Sequence, residues 1–469
     1  MDAANRLVYS SRSIHEPLLS IPERMEHGKQ QRVKVPRDAH AAAADPKNRF
    51  DPVQLIIDNN AGRVKELIPI RYSRMLASAF AFLRGSAVVM TADLATLPDS
   101  GIYVQCCGDC HLMNFGGYAT PERNIVFDIN DFDETLEAPF EWDVKRLAAS
   151  MVVAGRYLEF SEKENRKTAM AAVLTYTEKM REFSQMCQLE IWYNKVDEAL
   201  IVEMFHSDKE LAKRIHLATE QAKHRTHEFV FPRISELQNG KRRIIDDPPL
   251  IFHPADDNRL MNFGMLFFRE YYNSVTDDKK ALLSRYKLED IALKVVGVGS
   301  VGTRCGIGLF TVSDEDALIL QFKEGKASVL EKYVGASPYQ NHGERIVNGQ
   351  RLMQTFSDIF LGWTKTDAGN DFYVRQLRDM KSSARIETFT PRLLQQYGSM
   401  CGWALAKSHA KAGMSPEITG YIGTSSAFAE AITSFAVQYA NQTESDFRLL
   451  RAAEKSNRIP VDNETRPNA

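Results

Sequence analysis

The chain has 469 residues, 44% of them hydrophobic, and a formal net charge of −2. That length suits two to four domain-sized units, and the near-neutral balance argues against a basic field that would recruit nucleic acid. No apolar run reaches the roughly 18 to 20 residues of a membrane-spanning helix, and no apolar signal segment opens the chain, so a cytoplasmic protein without a membrane partner is expected.

Residues 1–50 are polar and lean basic, and are expected to form a flexible N-terminal arm. From Pro52 to about Leu94, Leu55, Ile56, Leu67, Ile70, Met75, Leu76, Phe80 and Leu83 recur near the helical period. Arg71, Arg74 and Arg84 accompany these helices; they read first as ion-pair partners, with a phosphate clamp as the alternative. The next segment, 104–133, reads as strand, loop and strand, with Ile125-Val126-Phe127 as the returning strand. Helix is expected from Trp142 to Tyr157 and through most of 163–285, apart from a Gly- and Pro-bearing loop at 238–257. The basic run Lys241-Arg242-Arg243 in that loop reads as a solvated face.

The pattern changes at Ile291. Strands are expected around Leu293–Val296, Ile307–Val312 and Ala317–Lys323, then a helix over 343–357, a hairpin turning at Asp367–Asn370, and a helix over 393–412. Residues 456–469 read as a flexible tail.

Two clusters carry chemistry. The first is Gly108-Asp109-Cys110-His111-Leu112-Met113-Asn114 with Asn130-Asp131-Phe132-Asp133. Phosphoryl transfer needs a carboxylate to take the acceptor's hydroxyl proton, and an amide oxygen and further carboxylates to hold magnesium. The second is Gly297-Val298-Gly299-Ser300-Val301-Gly302. A dinucleotide-binding fold would follow these glycines with a helix. Here a strand follows, and a glycine loop between antiparallel strands covers nucleotide phosphates in kinases. Lys323 ends the third strand, in the place of the phosphate-binding lysine. Glu344 is its expected helix partner, with Glu331 as the competitor, and Leu377 and Asp379 would line the base pocket. Cys107 and Cys110 form a single CxxC, crowded by Cys106; six cysteines in so long a chain point to buried thiols rather than a disulfide scaffold or zinc site. His111 and His409 read as packed, hydrogen-bonded histidines.

The Gly-Asp-x-His-x-x-Asn motif and the Asp-Phe-Asp beyond it resemble those of aminoglycoside and choline phosphotransferases, which are kinase-like. More closely, about 51–450 resembles the bacterial family known as domain of unknown function 2252, through Arg71–Met75, Phe82–Gly85, Gly108–Gly116, Asn130–Thr135, Trp142–Leu147, Gly349–Arg351, Arg375–Lys381 and Ala404–Ala410. The kinase-like resemblance implies an α+β, two-lobed fold that binds ATP and Mg2+ and passes a phosphoryl group to a small-molecule or protein hydroxyl. It implies Asp109 as base, Asn114 and Asp131 as metal ligands with Asp133 competing, and Asp143 as a brace for the catalytic loop, with His111 and Arg84 in support. Gly297, Gly299, Ser300, Gly302 and Lys323 would hold the nucleotide.

Motif order departs from ordinary kinases, because the glycine loop follows the catalytic loop. A circularly permuted fold accounts for this. Its large lobe would span 51–289, its small β lobe 290–382, and helices over 383–455 would complete the large lobe. A non-catalytic nucleotide-binding protein and a nucleotidyltransferase are the alternatives on the same scaffold. A metal-dependent phosphoesterase using Asp109, His111 and Asn341-His342 ranks below them, because the intervening carboxylate motif is missing.

Overall fold

The computed structural model describes residues 19–204, 216–217, 219–220, 227–238, 240–248, 250–254, 257–295, 297, 301–377 and 382–462. The fold is α+β. Long helices Phe140–Tyr157, Glu162–Phe183, Pro391–Lys411 and Ala427–Lys455 pack into a helical body around one large apolar core. Gly402 permits one close crossing there, since a Cβ would lie 2.1 Å from the carbonyl oxygen of Ala172.

A six-stranded antiparallel sheet forms the second layer. Its spatial order is Gly362–Lys365, Asp371–Gln376, Ala317–Gly325, Cys305–Thr311, Lys287–Lys294 and Ile251–Phe252. Side chains alternate across it. Leu318, Leu320 and Phe322 join the cluster built on helix Asp257–Tyr272, where Phe267 and Phe268 meet Phe310, Phe322 and Phe372. Ile319, Gln321 and Lys323 therefore lie on the opposite face. The expected boundary at 289/290 falls inside strand Lys287–Lys294, and the sheet unit already includes Ile251–Phe252 and helix Asp257–Tyr272. The expected loop at 238–257 contains the second strand of a short hairpin, Ser235–Gln238 with Lys241–Ile244. Lys241 is exposed, as a solvated face requires, while Arg242 also lies over the Phe231 ring, 4.8 Å from its centroid.

Past the sheet, Ser382–Ser383 pairs with Gly116–Gly117 of strand Phe115–Ala119, which pairs in turn with Ile125–Ile129. The chain thus returns from the six-stranded sheet onto the strand pair that bears the acidic motif.

The expected loose arm over 1–50 does not hold from residue 19 onward. Ser20 and Glu23 cap the helix Ile21–Lys34 reciprocally. That helix docks on Ser415–Ile422 through two glycines: a Cβ at Gly28 would lie 2.0 Å from the Glu417 carbonyl oxygen, and one at Gly420 2.0 Å from that of Met25. Arg24 adds an ion pair to Glu417 at 2.8 Å. Further on, Arg49 bridges Asp93 at 2.7 Å and Asp446 at 2.8 Å, and Tyr439 donates to Asp93 at 2.9 Å. The first part of the expected tail is also held as far as Asp462, whose amide donates to the Ser73 hydroxyl at 3.0 Å.

Candidate active site

The first motif is a turn suspended from one carboxylate. Gly108 has φ 81°, and a Cβ there would lie 2.3 Å from the Glu134 carbonyl oxygen, so only glycine fits. Asp143 accepts the amides of Cys107 at 2.8 Å and Gly108 at 3.0 Å. His409 Nε2 stands 3.4 Å from Asp143, and His409 Nδ1 is 2.9 Å from the Tyr176 hydroxyl. The thiols of Cys106, Cys107, Cys110 and Cys401 are free and buried, and burial raises their pKa values. Asp143 lies within ligating distance of Cys107 and Cys110, but its carboxylate is already occupied by the two backbone amides.

Asp109 leaves this turn partly exposed. Its Oδ1 accepts from Arg146 Nε at 2.5 Å. Burial raises its pKa, and the nearby Arg146 and Arg84 only partly offset that. Arg84 lies across the Phe80 ring at 5.8 Å, and its buried Nε has no hydrogen-bond partner among the described residues. His111 uses Nδ1 to accept the Met113 amide at 3.2 Å, and burial holds its pKa well below the usual value, so the ring is neutral.

Asn114 joins the two motifs. Its Nδ2 donates to the Asp109 carbonyl at 2.7 Å, and its own carbonyl accepts the Asn130 amide at 2.9 Å. The second motif follows at once. Asp131 Oδ1 accepts the Asp133 amide at 3.3 Å, and burial together with Asp133 raises the Asp131 pKa. Burial would also raise Asp133, but an ion pair with Lys323 and a 2.8 Å hydrogen bond from the Tyr373 hydroxyl override it, leaving this group below the usual range. For Lys323, burial opposes the charge and is outweighed by Asp133, Tyr373 and Asp131. Lys323 and Asp133 are 190 residues apart in the chain.

The expected lysine partner is not the one found. Lys323 pairs with Asp133, not with Glu344 or Glu331. Glu344 sits in the first turn of helix His342–Met353, where Asn341 caps its amide at 3.0 Å. Glu331 accepts the Ser328 amide at 3.0 Å. The same helix instead directs Arg345 inward. Its Nη1 donates to the Thr135 carbonyl at 2.5 Å, and its Nη2 donates to the carbonyls of Asp133 at 2.8 Å and Lys326 at 2.7 Å. This helix therefore braces the acidic turn through its backbone. Sequence reasoning missed Arg345, and also Arg375, whose charge acts on Asp131 and Asp133. The available signal was their spacing: Arg345 falls one residue before the buried Ile346-Val347 pair, and Arg375 two residues after Tyr373 on the same strand face.

The glycine loop joins strands Lys287–Lys294 and Cys305–Thr311, as a phosphate-covering hairpin would. Gly299, Ser300 and Asp379 lie outside the described residues. The loop's ends are fastened by the N-terminal helical region: Arg74 of helix Ile68–Met75 donates to the Gly297 carbonyl at 2.6 Å, and from the turn before it Arg63 donates to that of Val301 at 2.7 Å and the Val64 amide to that of Gly302 at 2.8 Å. Arg71 bonds to Asn60, Asn59 and the Gly85 carbonyl rather than to a carboxylate. Leu377 donates its amide to Ile319 at 2.9 Å and packs with Ile307, Leu309 and Ile319, and Phe231 belongs to that same cluster. Asn341, of the phosphoesterase reading, serves as a helix N-cap.

Residues 63–453 match the family model described as an uncharacterized protein conserved in bacteria, DUF2252. The chain belongs to that family. No curated protein and no solved structure matches it. Among the described residues, no helix is long and apolar enough to cross a membrane.

Proposed function

We propose that this protein is an ATP- and Mg2+-dependent phosphotransferase on a circularly permuted, kinase-like, two-lobed fold. The observation that carries this reading is the meeting of Lys323, from the sheet after the glycine loop, with the acidic turn Asp131–Asp133 beside Asp109 and Asn114.

The residues present suit magnesium, which takes hard oxygen ligands. Asp131 supplies a carboxylate whose repulsion from Asp133 a divalent ion would relieve, and Asn114 donates through Nδ2, which leaves its Oδ1 for the metal. Asp133 is committed to Lys323 and Tyr373, so Asp131 is the principal ligand. Bound there, the metal would neutralise charge on the nucleotide phosphates. Arg146 holds Oδ1 of Asp109, so Oδ2 is the oxygen that takes the acceptor's hydroxyl proton. Lys323 would hold phosphate oxygens.

One observation favours nucleotidyl transfer as a second reading. Phe231 packs on Ile307, Ile319 and Leu377, the apolar floor on the Lys323 face where a base would lie. A base seated elsewhere would turn the α-phosphate toward the same metal.

Calorimetry of MgATP binding tests the proposal on wild type, Asp131→Ala and Lys323→Ala. Binding weakened by both substitutions supports it; absence of wild-type binding sinks it. Transfer of label from γ- or α-labelled ATP then separates the two readings.

A further inference from the structure

A cavity lies beside the acidic turn. It has a volume of about 690 Å3 and opens between the turn of the 115–129 strand pair, the segment after helix His342–Met353, and the end of strand Asp371–Gln376. That volume falls in the range of small-molecule sites, roughly 300 to 1,000 Å3. Its inner end is polar and nearly sealed. Gln350 and Gln354 are 6% and 4% exposed, and Asn130 and Arg375 complete that wall. Gln350 donates to Gln354 at 2.8 Å, and Gln354 donates to the Ile129 carbonyl at 2.7 Å, so these amides are held in fixed positions.

The charges decide the ligand class. Arg375 and Arg123 oppose a cation. Glu315, Asp316 and Asp358 oppose an anion, and Arg375 already faces Asp131 and Asp133. A hydroxyl both donates and accepts, so it suits amides, carboxylates and guanidinium groups together. Between the polar groups lie Tyr286, whose hydroxyl is fixed on Asp316 at 3.0 Å, and apolar Leu318 and Phe360. Such surfaces accept the C–H face of a ring.

We infer that this cleft binds a neutral, polyhydroxylated small molecule, a sugar or cyclic polyol. The inference goes beyond the nucleotide reading and does not require it, because binding is measured without nucleotide. Asn130 lines the cleft and directly precedes Asp131, so a hydroxyl of the ligand would lie close to the acidic turn.

Saturation-transfer NMR and calorimetry on the full chain test this with myo-inositol and maltose as neutral probes, and with inorganic phosphate and ethanolamine as charged ones. One neutral probe should bind. Affinity should fall about tenfold in Tyr286→Ala and vanish in Ser357→Trp, which fills the cleft without removing a charge. Circular dichroism checks that both variants fold. Tighter binding of either charged probe than of both polyols overturns the ligand class. Polyol binding that survives Ser357→Trp in the folded protein, or no binding by either polyol, overturns the site. Neither variant touches Lys323 or Asp131, so loss of the nucleotide reading leaves this result readable.

Discussion

Replacing Lys323 with Met removes a buried lysine that pairs with Asp133. The Lys323 side chain is 6% exposed and that of Asp133 26%. Breaking a buried pair by deleting one partner costs about 3 to 5 kcal/mol, because the remaining charge stays desolvated. Tyr373 keeps its hydrogen bond to Asp133, and that carboxylate retains some water, so the lower end applies: about 3 kcal/mol, or roughly 150-fold in the local opening equilibrium. Asp133→Asn should cost less, since Asp131 remains near Lys323. The double variant should cost less than the sum, with a coupling of about 2 kcal/mol. Hydrogen exchange of peptides covering 129–136 and 317–325 is the appropriate assay, because a chain of this size need not unfold in one step. The depressed Asp133 pKa sets the pH dependence. Its stabilisation is present above the unfolded value near about 4 and is lost as pH falls through the lower folded value. The wild-type advantage over Lys323→Met should therefore shrink in acid. A loss below about 1 kcal/mol, or an undiminished loss in the Asp133→Asn background, would refute the pairing.

Glu134 behaves in the opposite way: burial raises its pKa to about 7, so its contribution to stability declines as pH rises from about 4.5 to about 7. Glu134→Gln should stabilise by about 2 kcal/mol near pH 8, allowing for partial exposure, and by nothing near pH 4, read from denaturation midpoints at both pH values. Asp143→Ala orphans the amides of Cys107 and Gly108; it should cost about 3 kcal/mol in thermal denaturation, while a distant surface control stays near wild type. Gly28→Ala should undock helix Ile21–Lys34, so limited proteolysis would cleave within 21–50 many times faster than in wild type; unchanged cleavage would contradict the docking.

Much of the fold was legible because its signals are local. The helix ending at Lys411 and the two strands after the glycine loop follow from periodicity, within a few residues at each end, whereas the strand before the loop starts six residues earlier than expected. The acidic turn was legible because chemistry confines those residue types to short spacing. Contacts between distant segments were not. Nothing near Lys323 marks Asp133 rather than Glu344 as its partner, since that choice depends on which way helix His342–Met353 rotates against the sheet. Arg345 looks like a surface arginine until that rotation buries it, at 1% exposure. The arm was misread for a related reason: helix Ile21–Lys34 has little apolar stripe of its own and docks through glycine, whose contribution is the absence of a side chain.

Arg49 makes the finished chain a condition for its own beginning. It stands 44 residues before Asp93 and 397 before Asp446, and it binds both. At about 5 to 20 residues per second, the ribosome delivers Asp446 roughly 20 to 80 seconds after Arg49. During that interval the Arg49–Asp93 pair lacks its second carboxylate, and helix Ala427–Lys455 has yet to cover it. The arm's anchor at Arg49 is therefore complete only once the last helix has emerged.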